Sequence, residues 1–349
     1  MRRGGARTTA FGHHRRMSET WGLDGPYFDD LRVGQILERA PSITIGAGEA
    51  AQYQAICGDP YALSLSTPLA ASVTGEPGAV VNPALVLHVA IGQSTVATRR
   101  VIANLFYRDV LVRRGVRVGE TLTTTVDIRG MRETGRKPDK PRRGMALLGI
   151  RTTSDRGDVV AAFERCALLP FRDAGSKLDA RDDLQGPIGA PDLASFVAHV
   201  PTGWSLAALG EPIAWTVGET RVDPLRDTVT GATALVRLTQ NLAAAHRDAS
   251  LGQGGKRLVY GGHTIGLAQA SLHRLLPNCA TVIGWHSCDH TGPVFEDDVL
   301  AVRATLDDTH ALRNGRLLSF RVIVDAIRGT DEVATATAVL DWHPVLFAP

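Results

Sequence analysis

Cysteine is scarce: Cys57, Cys166, Cys279 and Cys288 are the four in 349 residues. None forms a Cys-x-x-Cys pair, and four in so long a chain do not make a disulfide framework. They read as reduced, mostly buried thiols, as in a cytoplasmic protein. Long apolar runs are missing too. No stretch of 18 apolar residues occurs, so no membrane-spanning helix is predicted. Charge of one sign is not in excess. The net charge of +2 gives no reason to expect nucleic acid or a membrane surface as partner. The opening MRRGGARTTAFGHHRR carries five arginines and no acid, but it lacks the apolar stretch of a secretion signal. Residues 1–22 are read as a disordered basic tail, with Met17 available as an alternative start.

What is present is core-forming material, 44% apolar, in a chain long enough for one large domain or two ordinary ones. An approximate repeat divides it. Asp59 is matched by Asn241, and 23 or 22 residues later come Asn82 and His263. These sit in VVNPALVLHVAIG and VYGGHTIGLAQAS, each followed by an apolar stretch of helical length. Turns at Gly119 and Asp297, 37 and 34 residues further on, open the alternating segments VGETLTTTVDI and EDDVLAVRATL. Two more alternating segments close each half: MALLGIRTT and DVVAAFERCALLP, then RLLSFRVIVDAI and EVATATAVLDW. Period-two alternation marks half-buried antiparallel strands. The helix Ala84–Ala97 is apolar on nearly every side and must be wrapped. Two α+β units are expected, each curling a sheet around its own helix. Their bounds are 23–172 and 211–349, with a linker at 173–210 rich in Asp, Gly, Pro and Ala. The basic segment Arg132–Gly144 reads as a solvated loop, with a phosphate contact as the alternative.

Several motifs fail on inspection. Gly46-x-Gly48-x-x-Ala51 lacks the βαβ unit and the later acid that a dinucleotide site requires. Gly252–Arg257, GQGGKR, has Arg where a P-loop needs Ser or Thr. The cluster His286, Cys288, Asp289 and His290 suggests zinc. On a strand, however, positions i and i+4 are about 13 Å apart, too far for one ion with bonds of about 2.1 Å. No metal is expected. Asp289 and His290 are read either as facing a cleft or as structural.

His246 is the strongest candidate. It lies five residues after Asn241 and ahead of Gly261-Gly262-His263-Thr264. That turn puts a close approach at a helix start, whose free N–H groups can hold an oxyanion. His246 could then move a proton. These parts suit water addition to an α,β-unsaturated thioester.

The order of parts resembles the MaoC-like hydratases of the hotdog fold. The family motif is Asp, His five residues later, and Asp two after that; the matching positions are Asn241, His246 and Asp248. Gly262-His263-Thr264 matches the family's helix start, and Tyr27–Leu37 its opening strand. The likeness covers Tyr27 to Trp342 and is similar to the double-hotdog branch, where one half is degenerate. ANLFYRDV, LTQNLAAAH, GKRLVYGGHTIGLAQA and CDHTGPVFEDD resemble the mesaconyl-CoA hydratase, or β-methylmalyl-CoA dehydratase, group and a mycobacterial double-hotdog protein.

The resemblance implies a CoA or acyl-carrier thioester substrate, no cofactor, and a homodimer of double-hotdog chains as one assembly. It assigns catalysis to His246, Asn241 and Asp248, and the oxyanion hole to Gly262, His263 and Thr264. Tyr260, Lys256, Arg257, Arg108, Asp289 and His290 are further substrate-binding candidates. Asn241 departs from the pattern, since an amide cannot take up a proton as a carboxylate does. Three readings stay open. His246 acts alone with Asn241 orienting water; or Asp248, Asp289 or a carboxylate of the substrate supplies the base; or the site binds without turnover. A hotdog thioesterase is disfavoured because Thr264–Leu276 contains no acid.

Overall fold

Residues 24–135, 141–184, 192–329 and 335–349 are described in a computed structural model. The basic tail and the middle of the Arg132–Gly144 loop lie outside the described residues. The first half runs β1 (Ile43–Thr44), α1 (Ala47–Cys57), α2 (Ala62–Leu65), α3 (Thr67–Thr74), α4 (Pro83–Gln93), β2 (Ala103–Val112), β3 (Thr121–Glu133), β4 (Arg143–Ser154) and β5 (Val159–Pro170). The second runs α5 (Ala194–Val197), β6 (Thr220–Val222), β7 (Asp227–Thr228), α6 (Ala232–Leu238), α7 (Gly261–Leu275), β8 (Thr281–His290), β9 (Val299–Leu312), β10 (Gly315–Arg328) and β11 (Thr335–Ala348). None of the helices is long and apolar enough to cross a membrane.

The halves do not curl two separate sheets. They share one antiparallel sheet in the order β1-β3-β4-β5-β2-β8-β11-β10-β9-β6, with β7 on β9. Read outward from the β2–β8 seam, both halves have the same order, so the sequence repeat is also a topological one. At the seam Tyr107 pairs with Cys288 and Phe106 with Asp289. Strand β3 alternates half-buried and buried residues, as a one-sided strand does. Seam strand β8 is buried at seven of its ten positions, so both of its faces are covered along most of its length. No local pattern encodes the β2–β8 pairing, so the sequence shows the two sheets but not their joining at the seam.

The two long helices pack against each other beneath the sheet. Asn82 caps α4 by accepting the Ala84 amide at 2.9 Å, and Pro83 occupies the first turn, where its missing N–H costs nothing. Every α4 residue is buried. The helix expected to reach Ala97 stops at Gln93 and tightens into a 3-10 turn, Ser94–Ala97. There Ser94 Oγ donates to the Ile91 carbonyl at 2.6 Å and Thr95 Oγ1 to that of Gly92 at 2.5 Å, in competition with the helical ladder. α7 begins three residues before the expected Thr264. The stretch Tyr27–Leu37 is not a strand: Phe28–Asp30 form a 3-10 turn closed by Asp30 on the Tyr27 amide at 2.9 Å, and Ile36 makes a lone bridge to Asp127. The expected linker is partly docked, since Leu184, Phe196 and Leu206 are all buried.

Asp59 ties the halves together. Its carboxylate accepts from the Tyr61 amide at 3.1 Å, Asn82 Nδ2 at 2.7 Å, Gln269 Nε2 at 2.8 Å and His273 Nδ1 at 2.7 Å. Both members of the Asp59–His273 pair are almost wholly buried. Burial opposes the charge on Asp59, but the His273 charge and these hydrogen bonds outweigh it and hold the carboxyl below its ordinary value. Burial likewise opposes the His273 charge, and Asp59 overrides it, raising the imidazole to about 10. Asp59→Ala strands a buried imidazole and is expected to cost about 3–5 kcal/mol in denaturant unfolding. The pair's pH window follows from both signs. His273 contributes in full below its ordinary 6.5 and loses its part as pH rises through about 10; Asp59 contributes in full above its ordinary 3.8 and loses its part on acidification. The stability difference between wild type and Asp59→Ala should therefore peak between those two ordinary values.

Candidate active site

The site is built on the turn after α6. Asn241 Oδ1 accepts the Ala243 amide at 2.9 Å, as Asp59 Oδ1 accepts that of Tyr61. The same side-chain turn thus stands at both repeat positions. Before it, Gln240 sits in the left-handed region, φ 55°, a conformation that a non-glycine residue adopts only when its surroundings hold it there. The first half does the holding. Thr95 Oγ1 accepts the Leu242 amide at 2.7 Å, and the Arg99 carbonyl accepts the Ala244 amide at 2.9 Å. Gly92 lies so close to this turn that a Cβ there would meet the Thr239 carbonyl oxygen at 1.9 Å.

His246 follows on a 3-10 turn. Its Nδ1 is 2.9 Å from the Leu258 carbonyl. A carbonyl only accepts, so Nδ1 carries the proton and Nε2 keeps the lone pair. Burial, with Arg165 adding to it against the Leu258 bond, lowers the imidazole to about 4. His246 is therefore neutral at physiological pH, with the lone pair of Nε2 free.

A cavity of about 280 Å³ opens beside it. Asn241, His246, Tyr260, Gly261, Thr264 and His290 line it from the second half, and Thr95, Thr98, Asn104, Tyr107 and Arg165 from the first. Asn241 is fully buried and its Nδ2 has no partner in the protein. His290 Nε2 is also unpartnered, and burial, with His246 nearby, lowers its imidazole to about 4. Tyr260 Oη donates to the His88 carbonyl at 3.1 Å, and its ring lies against His246, with centroids 5.7 Å apart.

α7 points its first turn at this space. Gly261 and Gly262 are its first two residues, so their N–H groups have no acceptor within the helix. A Cβ on Gly261 would meet the His290 ring at 2.5 Å, so only glycine fits there. The expected oxyanion group is corrected. The His263 amide is spent on the Tyr260 carbonyl at 2.8 Å, and its ring is buried away from the cavity lining. Thr264 lines the cavity together with Gly261, which the expected group did not include, whereas Gly262 is buried and off that lining.

Asp248 is not brought to the site. It is exposed and caps the next 3-10 turn, accepting from Ser250 N and Oγ at 2.8 Å each. Arg108 and Asp289 pair with each other at 2.8 Å, and Arg257 pairs with Glu296 at 2.8 Å, all off the cavity wall. Lys256 is exposed, bridged through its backbone to Gln253 at the cavity edge. Among the described residues no three His, Cys, Asp or Glu side chains cluster to hold a metal.

Sequence reasoning missed the first-half wall. One signal was there: in VVAAFERCALLP, Ala161, Phe163, Arg165 and Ala167 share the buried face, and Arg is the odd member of that row.

Comparison with known proteins bears on this constellation. No family model matches the chain. Mesaconyl-CoA hydratase of Cereibacter sphaeroides is 29% identical over 286 residues, 79% of this chain and 81% of that protein. Beta-methylmalyl-CoA dehydratase of Chloroflexus aurantiacus is 30% identical over 289 residues, 79% of this chain and 80% of that protein. A solved structure from Mycobacterium tuberculosis, described as having a double hotdog fold, is 39% identical, with 94% of this chain and 99% of its own covered, at a TM-score of 0.83. The chain belongs to the MaoC-like double-hotdog hydratase and dehydratase family.

Against the family motif given above, this member keeps the histidine, replaces the first carboxylate with Asn241, and turns the second, Asp248, away. No Asp or Glu lines the cavity among the described residues. Because the His246 imidazole is lowered to about 4, its ring resonances in an NMR pH titration should move near pH 4. A midpoint near the ordinary 6.5 would mean that the ring is solvated and the cavity geometry is wrong. Gly261→Ala should abolish turnover while leaving the melting temperature within a few degrees, because His290 must move out of the cavity wall to admit the methyl.

Proposed function

We propose that the protein adds water to, or removes it from, the double bond of an α,β-unsaturated acyl-CoA, with His246 as the acid/base. One observation carries this: His246 has its proton fixed on the Leu258 carbonyl and its free nitrogen committed to a cavity that ends at the start of α7. The relatives' names, a mesaconyl-CoA hydratase and a beta-methylmalyl-CoA dehydratase, support the CoA thioester.

In the hydration direction, His246 Nε2 takes a proton from a water that Asn241 orients through its unpartnered Nδ2 side. The water oxygen bonds to the β carbon. The electron pair of the double bond moves through the α carbon onto the thioester oxygen, which the Gly261 amide stabilises. The α carbon then collects the proton that imidazolium His246 took from the water, which returns His246 to its neutral form, and the thioester carbonyl reforms. The Leu258 carbonyl favours the developing imidazolium but only partly offsets burial and Arg165. The pantetheine arm enters at the Gln253 edge, with Lys256 outside for the phosphates.

A thioesterase working through a carboxylate would need one on or near the helix. α7 has none, and its Gln269 is turned to Asp59. A non-catalytic binder would leave the fixed tautomer and the strained Gln240 without a use.

Hydration of crotonyl-CoA and mesaconyl-CoA, followed by loss of enoyl-thioester absorbance, tests the assignment. His246→Ala should lower kcat/KM by about a thousandfold. Unchanged activity would remove His246 from the mechanism, and release of free thiol in place of hydration would make the enzyme a thioesterase. Asn241→Asp restores a carboxylate beside the imidazole and should raise activity on crotonyl-CoA; a fall would mean that the amide itself has a role a carboxylate cannot fill.

A further inference from the structure

One charged side chain lines the cavity among the described residues, Arg165 of β5. It is 3% exposed. Its guanidinium meets only neutral acceptors: Thr98 Oγ1 at 2.6 Å, and Asn104 Oδ1 and the Ser94 carbonyl at 3.3 Å each. Its Nε has no partner at all. Arg114, Arg142, Arg274 and Arg328 differ, each sitting on a carboxylate. A guanidinium does not lose its proton in a protein, and a buried charge without a counter-charge is strongly unfavourable. Burial presses on the Arg165 charge, and no acid among the described residues relieves it.

We propose that Arg165 seats a carboxylate carried by the acyl group of the substrate, so that the substrates are monothioesters of unsaturated dicarboxylic acids. This deepens, and rests on, the hydratase reading of the His246 site. Arg165 and His246 come from opposite halves and line the same cavity, and the arginine is near enough to disfavour charge on the imidazole. An acyl group held at its thioester by α7 and at its far carboxylate by Arg165 would present the double bond between them. The planar fork of arginine suits a carboxylate in two-point contact. Neutralising that carboxylate also removes the repulsion that an attacking water oxygen would meet at the adjacent carbon. Arg165 acts here as a specificity-determining residue, not as an acid or base.

The test compares mesaconyl-CoA with tiglyl-CoA, in which a methyl replaces the carboxylate, on wild type, Arg165→Gln and Arg165→Lys. Wild type should prefer mesaconyl-CoA by roughly a thousandfold in kcat/KM. Arg165→Gln should collapse this preference, losing about a hundredfold or more on mesaconyl-CoA and far less on tiglyl-CoA, with Arg165→Lys in between. The preference should persist in N-acetylcysteamine thioesters, which carry no phosphate; its disappearance there would assign Arg165 to CoA phosphate and overturn the proposal. Equal loss on both esters in a folded Arg165→Gln would reduce Arg165 to a structural role. If the variants do not fold, wild-type discrimination between the two esters decides alone. If wild type turns over neither ester, the hydratase reading fails separately, and calorimetric binding decides for Arg165: tighter mesaconyl-CoA binding upholds it, and equal affinity overturns it.

Discussion

The Asp59 carboxylate is the joint on which the two halves close. Four donors from three segments converge on it, and two of those donors, Gln269 and His273, stand on the helix whose first turn faces the cavity. In water this carboxylate would be content alone. Buried, it must be satisfied in full, and satisfying it fixes where α7 sits against α4. The repeat position that holds Asn241 in the second half is thus occupied in the first by a group serving architecture.

This asymmetry divides the labour. Each half has a long buried helix followed by four strands in the same order, yet the second supplies the imidazole, the amide turn and the glycine helix start, while the first supplies the wall and the supports. Thr95 and Arg99 hold the turn before His246, and Gly92 permits its approach. A site assembled from two covalently joined units can place an arginine on one side of a cavity without a duplicate on the other. In two identical chains related by symmetry, the same arginine would recur at a second, equivalent cavity.

The fold was largely legible because its signals are local: alternation in β3, Asn82-Pro83 at a helix start, and an apolar segment that had to be wrapped. His246 was legible through its spacing from Asn241 and from the glycines. Failures came where a carboxylate, an amide or a charge was already committed to another partner, near or far in sequence. Asp248 matched a motif position, but its carboxylate is used up by Ser250 two residues on. His263 sat in the expected helix start, but its amide closes a turn on Tyr260. Arg108, Arg257 and Asp289 carried suitable charge, but nearby opposite charges consume it. Arg165 passed unnoticed because its strand reads as core, and only the assembled wall shows that nothing neutralises it.

The seam between β2 and β8 has a consequence for synthesis. Tyr107 pairs with Cys288, 288 − 107 = 181 residues later in the chain. At about 5–20 residues per second, the edge of β2 emerges roughly 9 to 36 s before its partner. During that interval a ten-residue strand presents an unsatisfied row of amides and carbonyls, the kind of edge that recruits other strands. The β2 edge of a second nascent copy would be a ready competitor, so the covalent fusion that builds the cavity also sets a race between pairing within one chain and pairing between neighbours on the same message.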